Sequence, residues 1–434
     1  MTSPALTRLL PPTYRPLFAH AGFRRLLPAL AASDLGDGMS MVAVAWLALL
    51  IAPPGRSAWV VGAALAAYAL PGAAGALLFG RRLRGMHPRR LMAVDSRLRA
   101  LLLGAVPLAW ALGMLHPVLY VGLLAASSVL HAWGSAGKYS LFARMLPPDQ
   151  RLAANALVSA CTSASVIVGP ALAGFLAAAV GPAWIIGLDA LSFAFLAVRV
   201  ARIPEVPEAA EPPADGGRPR GDRVLRMLRG RPELLGALAL TWFFNFLYGP
   251  VEVALPLHVT DDLRAGASTL GLYWTAFGAG AVLGTLAAGA LRRLPHWPVT
   301  LAIVAGWGLI LLPFGLGVPV AVSLACFGLG GLIYGPFTAL SFTLFQDRTP
   351  APWLTGVLAF RAAALLTAGP VGTALGGPLT AVMGPRLVLA ASGMATLVLA
   401  AVAAAVLGLG ANRRVRRARR ARGSRSGPLE TGFR

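Results

Sequence analysis

The chain has 434 residues, of which 57% are hydrophobic and 12% charged, against roughly a quarter charged in ordinary soluble domains; a soluble enzyme is excluded. Thirty-eight basic residues against sixteen acidic ones give a formal charge of +22, a balance that would point to nucleic acid in a polar protein but not in one this apolar. A bilayer crossing takes roughly 20 apolar residues, so twelve crossings need roughly 240 and leave the rest for loops and tails.

In chain order, the first 22 residues carry Arg8 and Arg15 without a short apolar core and a small-residue cleavage site, so the first span is expected to be retained. Span-length windows predict crossings at 27–51, 58–80, 98–115, 117–137, 154–180 and 182–198, then at 234–259, 270–291, 298–317, 318–345, 353–382 and 385–409. The stretch 294–346 holds no Lys, Arg, Asp or Glu and is too long for one crossing; Gly315, Gly317 and Pro319 mark a tight turn within it. Cys161 and Cys326 lie in apolar runs, so no disulfide framework and no zinc spacing is present.

Charge placement checks the count. Outer loops would hold only Arg56, Arg264 and Arg386; with Arg361 assigned to a span, 34 basic residues fall on the inner side. This is the bias expected of cytoplasmic loops, and it places both termini on the cytoplasmic side. Residues 201–233 break the hydropathy pattern with six prolines, six acids and seven arginines, which predicts a disordered or partly helical cytoplasmic linker. The chain therefore divides into a half at 1–200, the linker at 201–233, a second half at 234–412 and a basic cytoplasmic tail at 413–434.

The halves repeat weakly. Tyr68, Gly72, Gly75 and Gly80 before Arg81-Arg82 are echoed by Tyr273, Gly278, Gly280 and Gly289 before Arg292-Arg293, and Gly169-Pro170 returns as Gly369-Pro370. Parallel halves of six spans follow. Aligning them sets Asp34 opposite Asn245 and Gly38 opposite Gly249.

Phe23-Arg24-Arg25 leads into Ser33-Asp34-Leu35-Gly36-Asp37-Gly38, Leu152-Ala153-Ala154-Asn155 leads into Val168-Gly169-Pro170, and Pro256-Leu257 precedes Leu270-Gly271-Leu272. Through these stretches, and over nearly its whole length, the chain resembles the major facilitator superfamily, most closely its bacterial drug, macrolide and siderophore exporters. The resemblance implies an all-α membrane protein of twelve transmembrane helices in two pseudo-symmetric six-helix bundles, which rock about a midplane site; exporters of this branch are commonly driven by proton antiport. It also implies an acid in the loop after the second span that locks the inner gate. The run from Gly80 through Arg81, Arg89 and Arg90 has none, and Asp95 is the candidate substitute. Gly169, Pro170 and Gly174 are similar to the fifth-span signature of antiporters; a bend for gating or close packing both explain them. Gly369 and Pro370 are their weaker partners.

A charge at bilayer depth costs roughly 2.5 to 3.5 kcal/mol on insertion scales. Asp34, Asp37, Asp189, Glu252 and Arg361 therefore need explaining. Asp34 and Asp37 share a helical face, and Gly36 and Gly38 would loosen that helix and admit water. A wet, partly desolvated carboxylate can exchange protons near neutral pH; Asp34 or Glu252 is expected to do so, with Arg361 as partner. The alternative is that the aspartates cap or pair within the bundle and that Arg361 neutralises one of them. Asn245, Tyr248, Gly249, Pro250 and Glu252 read as a broken, cavity-facing helix. Tyr248 and Tyr273 are candidates for a wall against amphipathic cations; His131 stays ambiguous.

No catalytic constellation, metal site or cofactor motif is expected. The sole lysine, Lys138, is followed by Tyr139, so no Gly-Lys-Ser/Thr phosphate cradle exists. The arginines of 413–425 are expected to contact anionic lipid rather than nucleic acid. The resulting expectation is a monomeric secondary transporter that exchanges a small hydrophobic or amphipathic compound for protons. A siderophore, lipid or metabolite carrier, or a membrane sensor or scaffold without transport, are the alternatives.

Overall fold

The computed structural model describes residues 14–78, 86–204, 221–291 and 294–423. Fifteen α-helices occupy them: α1 Arg15–Ala19, α2 Ala21–Ile51, α3 Ser57–Leu78, α4 Pro88–Ala111, α5 Pro117–Ser128, α6 His131–Met145, α7 Pro148–Ala179, α8 Pro182–Ala201, α9 Gly221–Arg229, α10 Pro232–Leu257, α11 Ala267–Leu291, α12 His296–Gly315, α13 Val320–Arg348, α14 Ala351–Met383 and α15 Pro385–Gly423. Proline opens α4, α5, α7, α8 and α10, where its missing N–H costs nothing because that donor has no partner within the helix. Among the described residues, ten segments are long and apolar enough to cross a membrane by length and composition. The two further expected spans, α3 and α4, are helices packed among them; α4 misses the apolar standard because it carries Arg89, Arg90, Asp95, Arg97 and Arg99.

Helix order reproduces the twelve predicted segments, with the fourth divided. A turn at Val129 and Leu130 separates α5 from α6, and no proline or glycine announces it. The predicted break in the seventh span is absent: α10 runs unbroken through Gly249 and Pro250, and the irregularity falls later, in a π-helical turn at His258–Asp262. Likewise α2 continues without interruption through Gly36 and Gly38. The expected turn at Gly317 is present with φ +67°, a backbone state open to glycine at no steric cost. Part of the linker is helical, as α9, whose Val224 and Leu228 are buried with Leu234, Leu344, Phe345 and Val357 against α10, α13 and α14. The predicted linker core at 205–220, Arg81 and Arg292-Arg293 lie outside the described residues, and nothing is described of the tail side chains.

Contacts group α2 to α8 together and α10 to α15 together. With apolar lipid outside, helix association depends on close packing rather than on the hydrophobic effect, and small residues permit it. A Cβ on Gly169 would stand 2.7 Å from the Gly38 Cα, joining α7 to α2. In the second half a Cβ on Gly249 would stand 2.7 Å from the Gly369 carbonyl, joining α10 to α14. These are the residues that the internal repeat pairs, Gly38 with Gly249 and Gly169 with Gly369, so the repeat of sequence is also a repeat of contact. Between the halves α7 meets α11 and α3 meets α14. Gly174 approaches Gly271, and Gly62 approaches Gly377, close to the ends of these helices opposite the basic loops.

Candidate functional site

Charge placement sets Arg99 among the inner basic residues; the structure buries it. Its side chain is 2% exposed and reaches from α4 into the interior of the first half. Nη2 donates to Asp37 Oδ1 at 3.0 Å and Nη1 to Asp37 Oδ2 at 3.4 Å, a two-point pairing that a lysine would not reproduce. The Tyr68 hydroxyl donates to Asp37 Oδ1 at 2.7 Å and accepts from Arg99 Nη2 at 2.9 Å. His131 Nδ1 lies 3.1 Å from Arg99 Nη1, and the guanidinium lies 4.2 Å from the centroid of the Phe193 ring. Five helices thus converge on one cation. The division of the fourth span places His131 at the start of α6, beside Arg99.

The other acids of the first half surround this group. Asp34 accepts from the Thr162 hydroxyl at 2.7 Å. Asp189 is fully buried and accepts from the Ser40 hydroxyl at 2.6 Å; the space for its carboxylate is left by Gly36, where a Cβ would collide with it. Asp95, one turn from Arg99, is buried against Gly134 on α6, and its Oδ1 has no hydrogen-bond partner. Gly36 and Gly38 therefore serve close approach, not a loosened helix.

Asp34, Asp37, Tyr68, Arg99, His131 and Thr162 all line a cavity of about 640 Å³ between the halves, within the size range of sites for drug-sized ligands. Its opposite wall comes from Asn245, Leu365, Leu366, Gly369 and Pro370. One side is charged; the other is apolar along α14, with Asn245 as its polar group. A smaller polar cavity of about 270 Å³ adjoins it, lined by Asp34, Asp37, Asp95, Arg99 and Lys138 among others.

The remaining candidates sit elsewhere. Glu252 is half-buried and accepts from the Thr373 hydroxyl at 3.0 Å across the α10–α14 contact. Arg361 is buried, donates to the Ser341 hydroxyl at 2.9 Å and lies 5.4 Å from the centroid of the Phe345 ring. The expected pairing of Arg361 with the first-span acids is replaced by Arg99, which lies in their own half. Tyr248 stacks on Tyr334 and meets Trp274 edge-on and Phe277 and Trp307 at a tilt, and Tyr273, fully buried, shares a 2.5 Å hydrogen bond with Ser323. Both belong to the aromatic interior of the second half; the aromatic ring that joins His131 in lining the larger cavity is Tyr68. Tyr273→Phe is therefore expected to lower thermal stability by about 1 kcal/mol and leave transport unchanged, read by thermal unfolding in detergent and by flux. Gly169, Pro170 and Gly174 lie along α7 where it passes α2 and α11, and Gly271 packs on the Pro170 carbonyl. Arg89 donates to the Ile203 carbonyl at 2.7 Å, tying α4 to the end of α8, and Arg90 is exposed.

Residues 26–252 match the family model of the Major Facilitator Superfamily. The chain is 29% identical over 372 residues to the multidrug efflux pump Tap of Mycobacterium bovis, covering 82% of this chain and 86% of that protein. It is 27% identical over 263 residues to the enterobactin exporter EntS of Shigella boydii, covering 60% of this chain and 62% of the exporter. A bacterial homologue of the lysosomal transporter Spinster, solved inward-facing and unoccupied, superposes with a TM-score of 0.66 at 12% identity, over 91% of this chain and 96% of that one. Sequence and fold agree: this multi-pass membrane protein belongs to the Major Facilitator Superfamily of transporters and is not an enzyme.

Proposed function

We propose that the protein is a secondary transporter of the bacterial inner membrane that exports small hydrophobic or amphipathic compounds in exchange for protons. The observation that carries this reading is the two-sided cavity, where Asp34 and Asp37 face an apolar wall built by α14. Four carboxyls, Asp34, Asp37, Asp95 and Asp189, lie within electrostatic range of one another or of Arg99, so the site can hold charge in more than one distribution. A cargo entering the cavity competes for Asp34 and displaces its proton, while Arg99 and Tyr68 hold Asp37 by both its oxygens. Glu252, at the contact between α10 and α14, is the second candidate for proton exchange, while Asp189 and Arg361 anchor their own bundles.

The proposed orientation sets the basic loops and both termini in the cytoplasm, with halves at 1–200 and 234–412 and a linker between them. The glycine contacts Gly62–Gly377 and Gly174–Gly271 then close the outer side, and the cavity belongs to an inward-facing state of a monomer. Likeness to efflux and enterobactin exporters supports outward movement, of a drug, an antibiotic or a siderophore.

The test is accumulation of fluorescent and antibiotic compounds in an efflux-deficient bacterium, with and without a protonophore, for wild type and for Asp34→Asn, Asp37→Asn and Glu252→Gln. Lower accumulation that the protonophore abolishes, and that at least one variant loses, is the expected result. No change for any compound despite membrane expression of the protein would remove broad drug export.

A further inference from the structure

Along the outer face of the first bundle, where α4 meets α8, three hollows adjoin. The first, of about 650 Å³, is lined by apolar residues including Ala100, Gly104, Pro107, Trp184 and Leu191. It shares Ala100 and Ala194 with a second of about 420 Å³. That one shares Arg97 and Ala201 with a third of about 410 Å³, which also holds Arg89 and Arg90. Together they form one groove, apolar along most of its length and basic at one end.

Small residues create it. A Cβ on Gly104 would meet only Ala190, at 3.7 Å, and one on Gly187 would meet Pro107 at 3.1 Å. Leu101, Leu191 and Trp184, all exposed, stand as its walls. At the basic end Arg90, Arg97 and Arg202 are exposed, and Arg89 is anchored on the Ile203 carbonyl. The ten residues from Arg97 to Pro107 rise about 15 Å, which is about the hydrocarbon depth of one leaflet.

We propose that this groove binds an anionic phospholipid, its phosphate held by Arg89, Arg90, Arg97 and Arg202 and one acyl chain lying along the α4–α8 seam. Charge complementarity selects this occupant: a zwitterionic lipid carries a cation beside its phosphate that four arginines repel, whereas an anionic headgroup carries none, and the apolar surface of a second copy of the chain offers no anion. The site is separate from the central cavity, yet it uses the same helix. Arg97 and Arg99 are two positions apart, so α4 presents the lipid-facing arginine on one side and the cavity arginine on the other. Lipid in the groove thus braces the helix that holds the buried ion pair.

The test uses purified full-length protein in detergent, mixed with equal amounts of phosphatidylglycerol and phosphatidylcholine of the same acyl chains, with bound lipid read by native mass spectrometry. Wild type is expected to retain phosphatidylglycerol preferentially. Arg97→Gln with Arg202→Gln, both at exposed positions, is expected to lower that retention about tenfold, and Gly104→Leu, which fills the seam, to lower retention of either lipid. Equal retention of the two lipids by wild type, or an unchanged preference in the arginine variant, overturns the proposal. So does a dimer lost in Gly104→Leu while lipid retention stays unchanged, which would assign the groove to a second copy.

Discussion

Arg99→Met is expected to abolish export and to cost roughly 1–3 kcal/mol of stability, because it leaves the half-buried Asp37 beside Tyr68 without its cation. Membrane expression, unfolding in detergent and flux would each register the loss. The informative comparison is the double variant Asp37→Leu/Arg99→Met. Replacing both members of a buried pair by apolar residues of similar volume is often neutral or stabilising, so the double variant should regain stability. It should not regain protonophore-sensitive export if the pair belongs to the transport cycle. Recovery of both would reduce the pair to a structural element. Arg99→Lys should fall between, keeping the charge but losing the two-point contact with Asp37 and weakening the contact with the Phe193 ring.

Gly38→Leu and Gly169→Leu are expected to have the next largest effects. A side chain at either position meets backbone rather than a movable side chain: the Ser165 carbonyl for Gly38, and the Gly38 and Met39 backbone for Gly169. Overpacking a core costs roughly 1–3 kcal/mol and occasionally more; two helix backbones cannot yield as a rotamer can, so the loss should lie at or above that range. Alanine at either site should be less damaging than leucine but still destabilising. Gly122→Ala is the control, since a Cβ there meets nothing within 4 Å, and alanine favours helix over glycine by roughly 1 kcal/mol. A temperature series of folded fraction by fluorescence-detected gel filtration should rank Gly122→Ala at or above wild type and both leucine variants far below. Equal tolerance at all three positions would contradict the contact assigned to α2 and α7.

These two sets of residues differ in how legible they were. The helices follow from runs of apolar residues, a signal strong enough to recover their order, with ten of the described segments long and apolar enough to cross a membrane. The glycine pairs were visible because the two halves repeat them at equivalent places. Asp34 and Asp37 stood out as charges inside an apolar run, and both line the cavity. Arg99 was missed because it sits at the second position of the predicted third span, 98–115, in a stretch that also carries Arg97 and Asp95. There, hydropathy cannot tell a loop cation from a buried one. The helix that holds it begins ten residues earlier, at Pro88, which moves Arg99 three turns into the fold. A helix-period reading would have found the signal, because Asp95 and Arg99 are four apart and so share a face, away from Arg97.

The roles of Gly36, Gly249 and Pro250 were misread for a different reason. Glycine and proline inside a span either break a helix or let another helix approach, and the sequence of one element does not say which. The deciding fact lies on the partner: the Asp189 carboxylate beside Gly36, and Gly372 with Thr373 beside Gly249. Pro250 is carried within a continuous α10. Arg361 was paired with the aspartates because it was the one basic residue recognised inside a span; with Arg99 also inside, the nearer cation wins.

The most direct test of the central claim is proton release. Purified protein in weakly buffered detergent solution would be titrated with a compound that the accumulation assay identifies as exported, while pH is recorded and binding is followed by equilibrium dialysis. Competition between cargo and proton requires that binding acidify the solution, and that Asp34→Asn reduce the protons released per compound bound. Saturable binding with no proton release by wild type at any pH from 6 to 8 would contradict proton exchange at this cavity.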